Sequence, residues 1–181
     1  MRGELYIAPP ALEKCNVFLN IPENYLAKMS PVLKLMVGQC FQYMHRRPNY
    51  SRPQILFCLD EFASLGFLDV QGPLEKIRKK GGRIMVLIQG RVRLDSVYDE
   101  LQRRAMMENI RFQAYLGVND FVNQKELAEI CGKEIKEDGR IDYIVKPAQF
   151  GRMGNKLLLI NPGKELWIRK IQYRKERNSK K

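Results

Sequence analysis

The sequence predicts an α/β fold built on a mostly parallel sheet. Strand-like apolar runs alternate with segments of helical periodicity, the pattern of βα units. Gln54 to Leu59 is an apolar run that stops abruptly at two carboxylates, Asp60 and Glu61. Arg83 to Ile88 repeats that layout and stops at an amide, Gln89. Apolar runs of this length without alternation are what strands covered on both faces look like.

In chain order, Asn16 to Ile21 reads as a short strand stopped by Pro22. From Glu23 to His45 the residues Leu26, Met29, Leu33, Val37, Cys40, Phe41 and Met44 recur at helical spacing, with Pro31 marking a helix start or a kink. His45 to Pro53 is a loop, followed by the acid-tipped strand. Gly72-Pro73 opens a helix that Gly81-Gly82 closes, with proline near the start and glycine past the end. After the Gln89 strand, Leu94 to Met107 reads as one helix with Leu94, Val97, Leu101 and Ala105 on one face. Ile110 to Val118 is a strand, and Asp120 to Cys131 a helix capped by Asn119 or Asp120 and ended by Gly132. Glu134 to Pro147 reads as a hairpin around Asp138-Gly139, and Leu157–Ile160 and Leu166–Tyr173 as closing strands about an Asn161-Pro162-Gly163 turn.

The 181 residues, 45% of them apolar, suit one domain with a real core. No stretch approaches the roughly 20 apolar residues of a membrane span, and no signal-peptide layout opens the chain. The four cysteines are scattered and there is one histidine, so zinc sites are excluded and a reduced, cytosolic setting fits. Cys58, inside the first apolar run, is expected to be buried. With 32 Lys plus Arg against 20 Asp plus Glu, the net charge of +12 favours polyanions: DNA, RNA or anionic lipid. Arg78-Lys79-Lys80, Arg91, Arg93, Arg103, Arg104 and the basic tail from Arg169 carry much of it.

Two acids at the C-terminal tip of a buried parallel strand lie where open α/β sheets place their ligands. Nucleoside triphosphatases present such a pair, one carboxylate in the Mg²⁺ shell and the next polarising the attacking water. An acid pair can also merely cap the following turn. A strand ending in an amide beside it could report a γ-phosphate without adding negative charge, or could simply bond a neighbouring loop.

The segment DEFASLGFLDVQGPLEKIRKKGGRIMVLIQGRVRLDSVYDE, residues 60–100, resembles the type IV secretion coupling proteins of the TraG/TraD kind, the DNA-translocating ATPases of conjugation. The likeness rests on the DEFASLG box from Asp60 to Gly66, on RKKGGR before the next strand, and on that strand's Gln89. It continues through Ser96–Glu100 with Tyr98, Asn109 and Asn119-Asp120, to the closing KLLLINPGKELWIRKIQYRK. It implies the C-terminal part of a RecA-like, P-loop NTPase three-layer motor domain over residues 1–174, with a basic tail at 175–181. It also implies ATP and Mg²⁺ as cofactors, with Asp60 as the Mg²⁺-shell acid and Glu61 as the activator of water. Gln89 becomes the sensor that touches the nucleotide, and Arg78 an arginine acting on a neighbouring subunit's nucleotide.

Partners implied by the resemblance are DNA, relaxosome or type IV secretion components, an N-terminal half, and neighbouring copies in a homo-oligomer at the cytoplasmic face of a bacterial inner membrane. These 181 residues hold no G-x-x-x-x-G-K-[ST] loop, the element that cradles β- and γ-phosphates. The expectation is therefore an incomplete fold lacking the Walker A half, inactive as an ATPase alone, with an exposed parallel sheet edge that invites association. Two other readings stand beside it: a non-catalytic DNA- or relaxosome-binding module, and a different RecA-like DNA motor.

Overall fold

The apolar stripe of the first long helical segment becomes α1 (Glu23–Arg46), preceded by a 3₁₀ turn at Pro9–Glu13. Leu33, Val37, Phe41 and Met44 form its buried stripe, spaced by three and four residues. The helix continues through Pro31, which lies on its exposed side and does not start it. There the carbonyl that loses its partner can be met by water. The computed structural model describes residues 8–161 and 164–171. The chain divides into two compact units, residues 1–109 and 110–181.

In the first unit, β1 (Ile55–Leu59) pairs in parallel with β2 (Gly82–Val86), in register from Ile55 opposite Gly82 to Leu59 opposite Val86. Ile55, Phe57 and Leu59 are buried, and Phe57 meets Phe41 of α1 edge-on at 5.0 Å. The strand is not covered on both faces as expected: Leu56 is 60% exposed and Cys58 is exposed as well. Successive side chains of a strand point to opposite faces, and α1 packs against only one of them. Asn16 to Ile21, expected as a strand, joins no ladder among the described residues, and Phe18 stands out in solvent.

After β1 a 3₁₀ turn at Phe62–Leu65 leads to α2 (Gln71–Lys76) and a further 3₁₀ turn at Ile77–Lys80. Gly81 stops it at φ +83, where an added Cβ would lie 2.6 Å from the Ser51 carbonyl oxygen. Only glycine fits there, which accounts for the first glycine of RKKGGR.

The expected single helix from Leu94 to Met107 is two, α3 (Arg91–Asp95) and α4 (Glu100–Asn109). The break has a local cause: Asp99 Oδ1 accepts the Gln102 N–H at 2.8 Å while Gln102 Oε1 accepts the Asp99 N–H at 3.2 Å. That reciprocal pair starts a new helix. It also turns the stripe, so Leu94 and Met106 are buried while Leu101 is 77% exposed.

The second unit is built differently. Its elements are β3 (Gln113–Tyr115), α5 (Phe121–Cys131), β4 (Lys133–Ile135), β5 (Ile141–Tyr143), α6 (Pro147–Gly151), β6 (Lys156–Asn161) and β7 (Lys164–Arg169). The strands pair as β3-β6-β7 and β4-β5, and every one of these ladders is antiparallel. Among the described residues the parallel pairing expected for most of the sheet is thus confined to β1 and β2. Connections as short as those between β4 and β5 or β6 and β7 can join only antiparallel strands. Asp120 caps α5, accepting the Asn123 N–H at 2.8 Å, and Gly139 turns the β4–β5 hairpin at φ +76. The core is Leu127, Ala128, Cys131, Phe150, Met153 and Leu158. Pro162 and Gly163 of the closing turn, Tyr173 and the 175–181 tail lie outside the described residues.

Candidate functional site

Asp60 and Glu61 follow the last residue of β1, and Gln89 follows β2 by three residues. Because the two strands are parallel and in register, all three stand at the same, C-terminal, end of the ladder. The ladder continues one step past the assigned strands, with Leu87 N–H donating to Leu59 O at 3.0 Å and Phe62 N–H to Leu87 O at 3.1 Å.

Between those bonds the chain turns sharply. Glu61 sits at φ 47, ψ 42, a left-handed conformation that a residue with a side chain seldom adopts. Such strain persists where the surroundings hold it. Here Asp60 Oδ1 accepts the Glu61 N–H at 2.9 Å, and the next residue, Phe62, is fully buried. The result is a carboxylate held out at the strand tip.

That carboxylate is engaged on both oxygens. Gln89 Nε2 donates to Glu61 Oε1. Arg93 Nη1 lies 3.9 Å from Glu61 Oε2, with both side chains substantially exposed. Asp60 Oδ2 accepts no hydrogen bond among the described residues, so one face of that acid is open. Sequence reasoning noted Arg93 only as part of the basic excess; its position on α3, one turn beyond Gln89, is the signal that would have found it.

The turn behind the acids is locked from below. Phe62 stacks on Tyr98 at 5.7 Å, and the Tyr98 hydroxyl donates to Leu68 O at 2.9 Å and accepts the Leu68 N–H at 3.1 Å. Burial pushes the Tyr98 phenol up, against a smaller downward pull from the Leu68 backbone, which keeps it protonated as a donor. Ser30 Oγ of α1 donates to Leu65 O.

Arg78 is not with these groups. It lies on the turn before β2, exposed, at the N-terminal end of the ladder. Five residues of strand, about 17 Å at 3.3 Å per residue, separate the two ends.

Among the described residues no three His, Cys, Asp or Glu side chains gather into a metal site, and no helix is long and apolar enough to cross a membrane. A magnesium ion does not need such a cluster. It is commonly held by one or two carboxylates together with phosphate oxygens and water, and the open oxygen of Asp60 fits that donor set.

Residues 54–141 match the family described as the TraM recognition site of TraD and TraG. The chain is 26% identical over 121 residues to the type IV secretion system-coupling protein VirD4 of Bartonella quintana (strain Toulouse), covering 66% of this chain and 19% of that protein. It is 23% identical over 184 residues to protein VirD4 of Agrobacterium fabrum (strain C58), covering 89% of this chain and 28% of that one. The chain thus spans between a fifth and three tenths of these relatives. In fold it is similar to the plasmid coupling protein TrwB in complex with a non-hydrolysable GTP analogue, with a TM-score of 0.79 and 19% identity over 91% of this chain and 43% of that one. A TrwB complex with ADP and Mg²⁺ gives 0.78 and 18%, over 96% of this chain and 45% of that one. Family match and relatives agree that this chain is similar to the C-terminal region of the type IV secretion coupling proteins, and the TrwB likeness adds a shared α/β fold.

Proposed function

We propose that this chain contributes the acid-and-amide side of an ATP site in a conjugative coupling motor with a RecA-like core. The observation that carries the reading is the bond from Gln89 to Glu61 across two parallel strand tips, with Asp60 open beside them. Solved TrwB complexes with a GTP analogue and with ADP and Mg²⁺ support it by analogy. Magnesium, when bound with a nucleotide, would neutralise charge on the phosphoryl oxygens.

The chain's own residues divide the remaining work. Asp60 offers its free oxygen to the metal shell. Glu61 accepts a proton from the attacking water once Gln89 and Arg93 release its two oxygens. Gln89, neutral and able to donate, can exchange Glu61 for a phosphate oxygen and so couple the state of the nucleotide to the loop behind it. Arg78 can serve only a neighbouring copy's site, since it stands at the other end of the ladder.

The phosphate-binding loop must come from another segment or polypeptide, so the chain alone is expected to show no ATP turnover. Mixed with a coupling-protein fragment that carries G-x-x-x-x-G-K-[ST], it should bind a fluorescent ATP analogue and hydrolyse ATP. Glu61→Gln should then lower turnover by about 10²–10⁴-fold, the usual worth of a positioned base, with binding retained. Turnover at the wild-type rate in that variant would remove Glu61 from the reaction.

A second reading, a docking module for nucleic acid or relaxosome components, is favoured by the net charge of +12 and by the recognition role in the matched family's description. Salt-sensitive binding of such a partner, with no nucleotide binding in the mixture, would select it.

A further inference from the structure

The first unit carries a second charged surface, at the end of the β1–β2 ladder opposite the acids. A recess of about 380 Å³ is lined there by His45, Asn49, Lys76, Lys79 and Lys80. Every one of these side chains can donate a hydrogen bond, and none is a carboxylate or a hydrophobic residue. The lysine ammonium groups form no ion pair among the described residues. His45 Nε2 is buried with no hydrogen-bond partner among them, and a buried polar atom of that kind calls for one.

The backbone under these groups is held in place. Tyr50, at a left-handed φ of 60°, donates its N–H to Lys79 O at 2.6 Å, and Ile55 N–H donates to Gly81 O at 2.9 Å. Arg47 donates from Nη1 to Lys80 O at 3.1 Å and from Nη2 to Pro53 O at 2.9 Å. Its Nε lies 2.9 Å from Glu13 Oε1, so this buried guanidinium is spent inside the protein. The lysine charges are not. Like charges fixed side by side repel each other and favour an anion between them.

The lining also selects the anion. Planar carboxylates are best met by the arginine fork, whereas lysines act as point charges that suit phosphate. No arginine lines the recess. A phosphoryl group carries about −1.5 to −2 charge at neutral pH, so one leaves three lysines under-neutralised and two linked ones match them. No phenyl, phenol or indole ring lines the walls to stack a nucleobase. Recesses that take apolar molecules are lined chiefly by hydrophobic side chains, which are missing from this lining.

We infer that this recess is an anion site for a compact, base-free ligand with two linked phosphoryl groups, of the inorganic pyrophosphate or small organic bisphosphate class. Lys76, Lys79 and Lys80 neutralise the phosphoryl groups and Asn49 donates its amide. His45 Nε2 meets a phosphoryl oxygen in the tautomer that carries the proton there. The site is independent of the reading given to Asp60, Glu61 and Gln89, and its binding needs neither nucleotide nor magnesium. Lys80 leads through Gly81 into β2, so a bound ligand tightens the start of the strand beyond whose other end Gln89 stands.

The test is calorimetric titration of the full chain with sodium pyrophosphate, without metal and at constant ionic strength. The wild type should bind a single equivalent saturably, and amide hydrogen exchange should slow over residues 79–82. K76Q/K79Q/K80Q, shown folded by circular dichroism, should bind at least about tenfold more weakly. His45→Ala should weaken binding by about tenfold, for one hydrogen bond to a charged group lost. Lys28→Glu, a charge change near the far end of α1, should match the wild type. The proposal fails if the wild type shows no saturable binding, or if the triple variant keeps wild-type affinity. It fails equally if citrate or sulfate competes as well as pyrophosphate, or if ADP displaces pyrophosphate more readily than pyrophosphate displaces itself. Capture of the chain by phosphatidylglycerol vesicles, with no binding of pyrophosphate, would also overturn it.

Discussion

The two units of this chain solve opposite problems. The first places every candidate functional side chain on a two-stranded parallel ladder whose second face is open, with Leu56 and Met85 both exposed there. It spends a left-handed glutamate and a left-handed tyrosine on holding side chains out in solvent. The second closes antiparallel ladders about a small, complete core in which Phe150, Ala128 and Leu158 are wholly buried. Its conspicuous polar groups pair with each other, as Glu129 does with Tyr143 and Lys133. Polar side chains satisfied locally add modestly to stability, whereas those left open at strand tips are available for chemistry.

The sharpest way to break that contrast is Phe150→Ala. Its ring stacks on Trp167 at 6.0 Å, and Trp167 is the chain's only tryptophan. Emission therefore reports on the second unit. Truncation of a wholly buried phenylalanine should cost about 3–5 kcal/mol in denaturant unfolding followed by that emission. A loss under about 1 kcal/mol would show that this core is not what holds the unit.

Next in size is Tyr98→Phe, which removes the hydroxyl that both donates to and accepts from Leu68. Two buried backbone groups lose their partner, so about 1–3 kcal/mol of the first unit's stability should go, with the Leu68 amide exchanging faster. Unchanged exchange at Leu68 would mean that the turn behind the acids is held elsewhere.

Asp120→Ala should lower the second unit's stability by about 1 kcal/mol through loss of the cap on α5. Glu61→Gln, at an exposed tip, should move the first unit's stability by less than about 0.5 kcal/mol while lowering turnover in the reconstituted mixture by about 10²–10⁴-fold. That split between stability and activity would sharpen the comparison most directly.

The smallest effect is with pH. The Tyr143 hydroxyl, and after it Lys133, holds the Glu129 carboxyl below its usual range, and Lys136 does the same for Asp142. Acids with lowered folded-state values stabilise fully above the unfolded value and lose that contribution as pH falls through the folded one. The second unit's stability should therefore slope downward below the ordinary carboxylate range, weakly, because these groups are at the surface. Glu129→Gln should flatten part of that slope.

How legible was this in the residues? The DEFASLG box and Gln89 mark two strand tips, and a parallel ladder in register can only bring such tips to one end. The caps and turns at Asp120, Gly81, Gly132 and Gly139 are equally local, since each depends on a few neighbouring atoms. The break at Asp99 was present as a D-x-x-Q pattern, masked by an apolar periodicity that runs across it. Burial was less readable. An apolar run looks the same whether one face or both are covered, so Leu56 and Cys58 read as core and are exposed.

By itself, then, the sequence determined the family resemblance, the α/β class and which residues end the strands, because those depend on residue type and short-range spacing. Only the tertiary structure decided that Gln89 and Arg93 both reach Glu61, that Arg78 stands at the other end, and that β3 pairs antiparallel with the distant β6. Those outcomes depend on which distant segments meet and with what register and direction, and no local pattern carries that information.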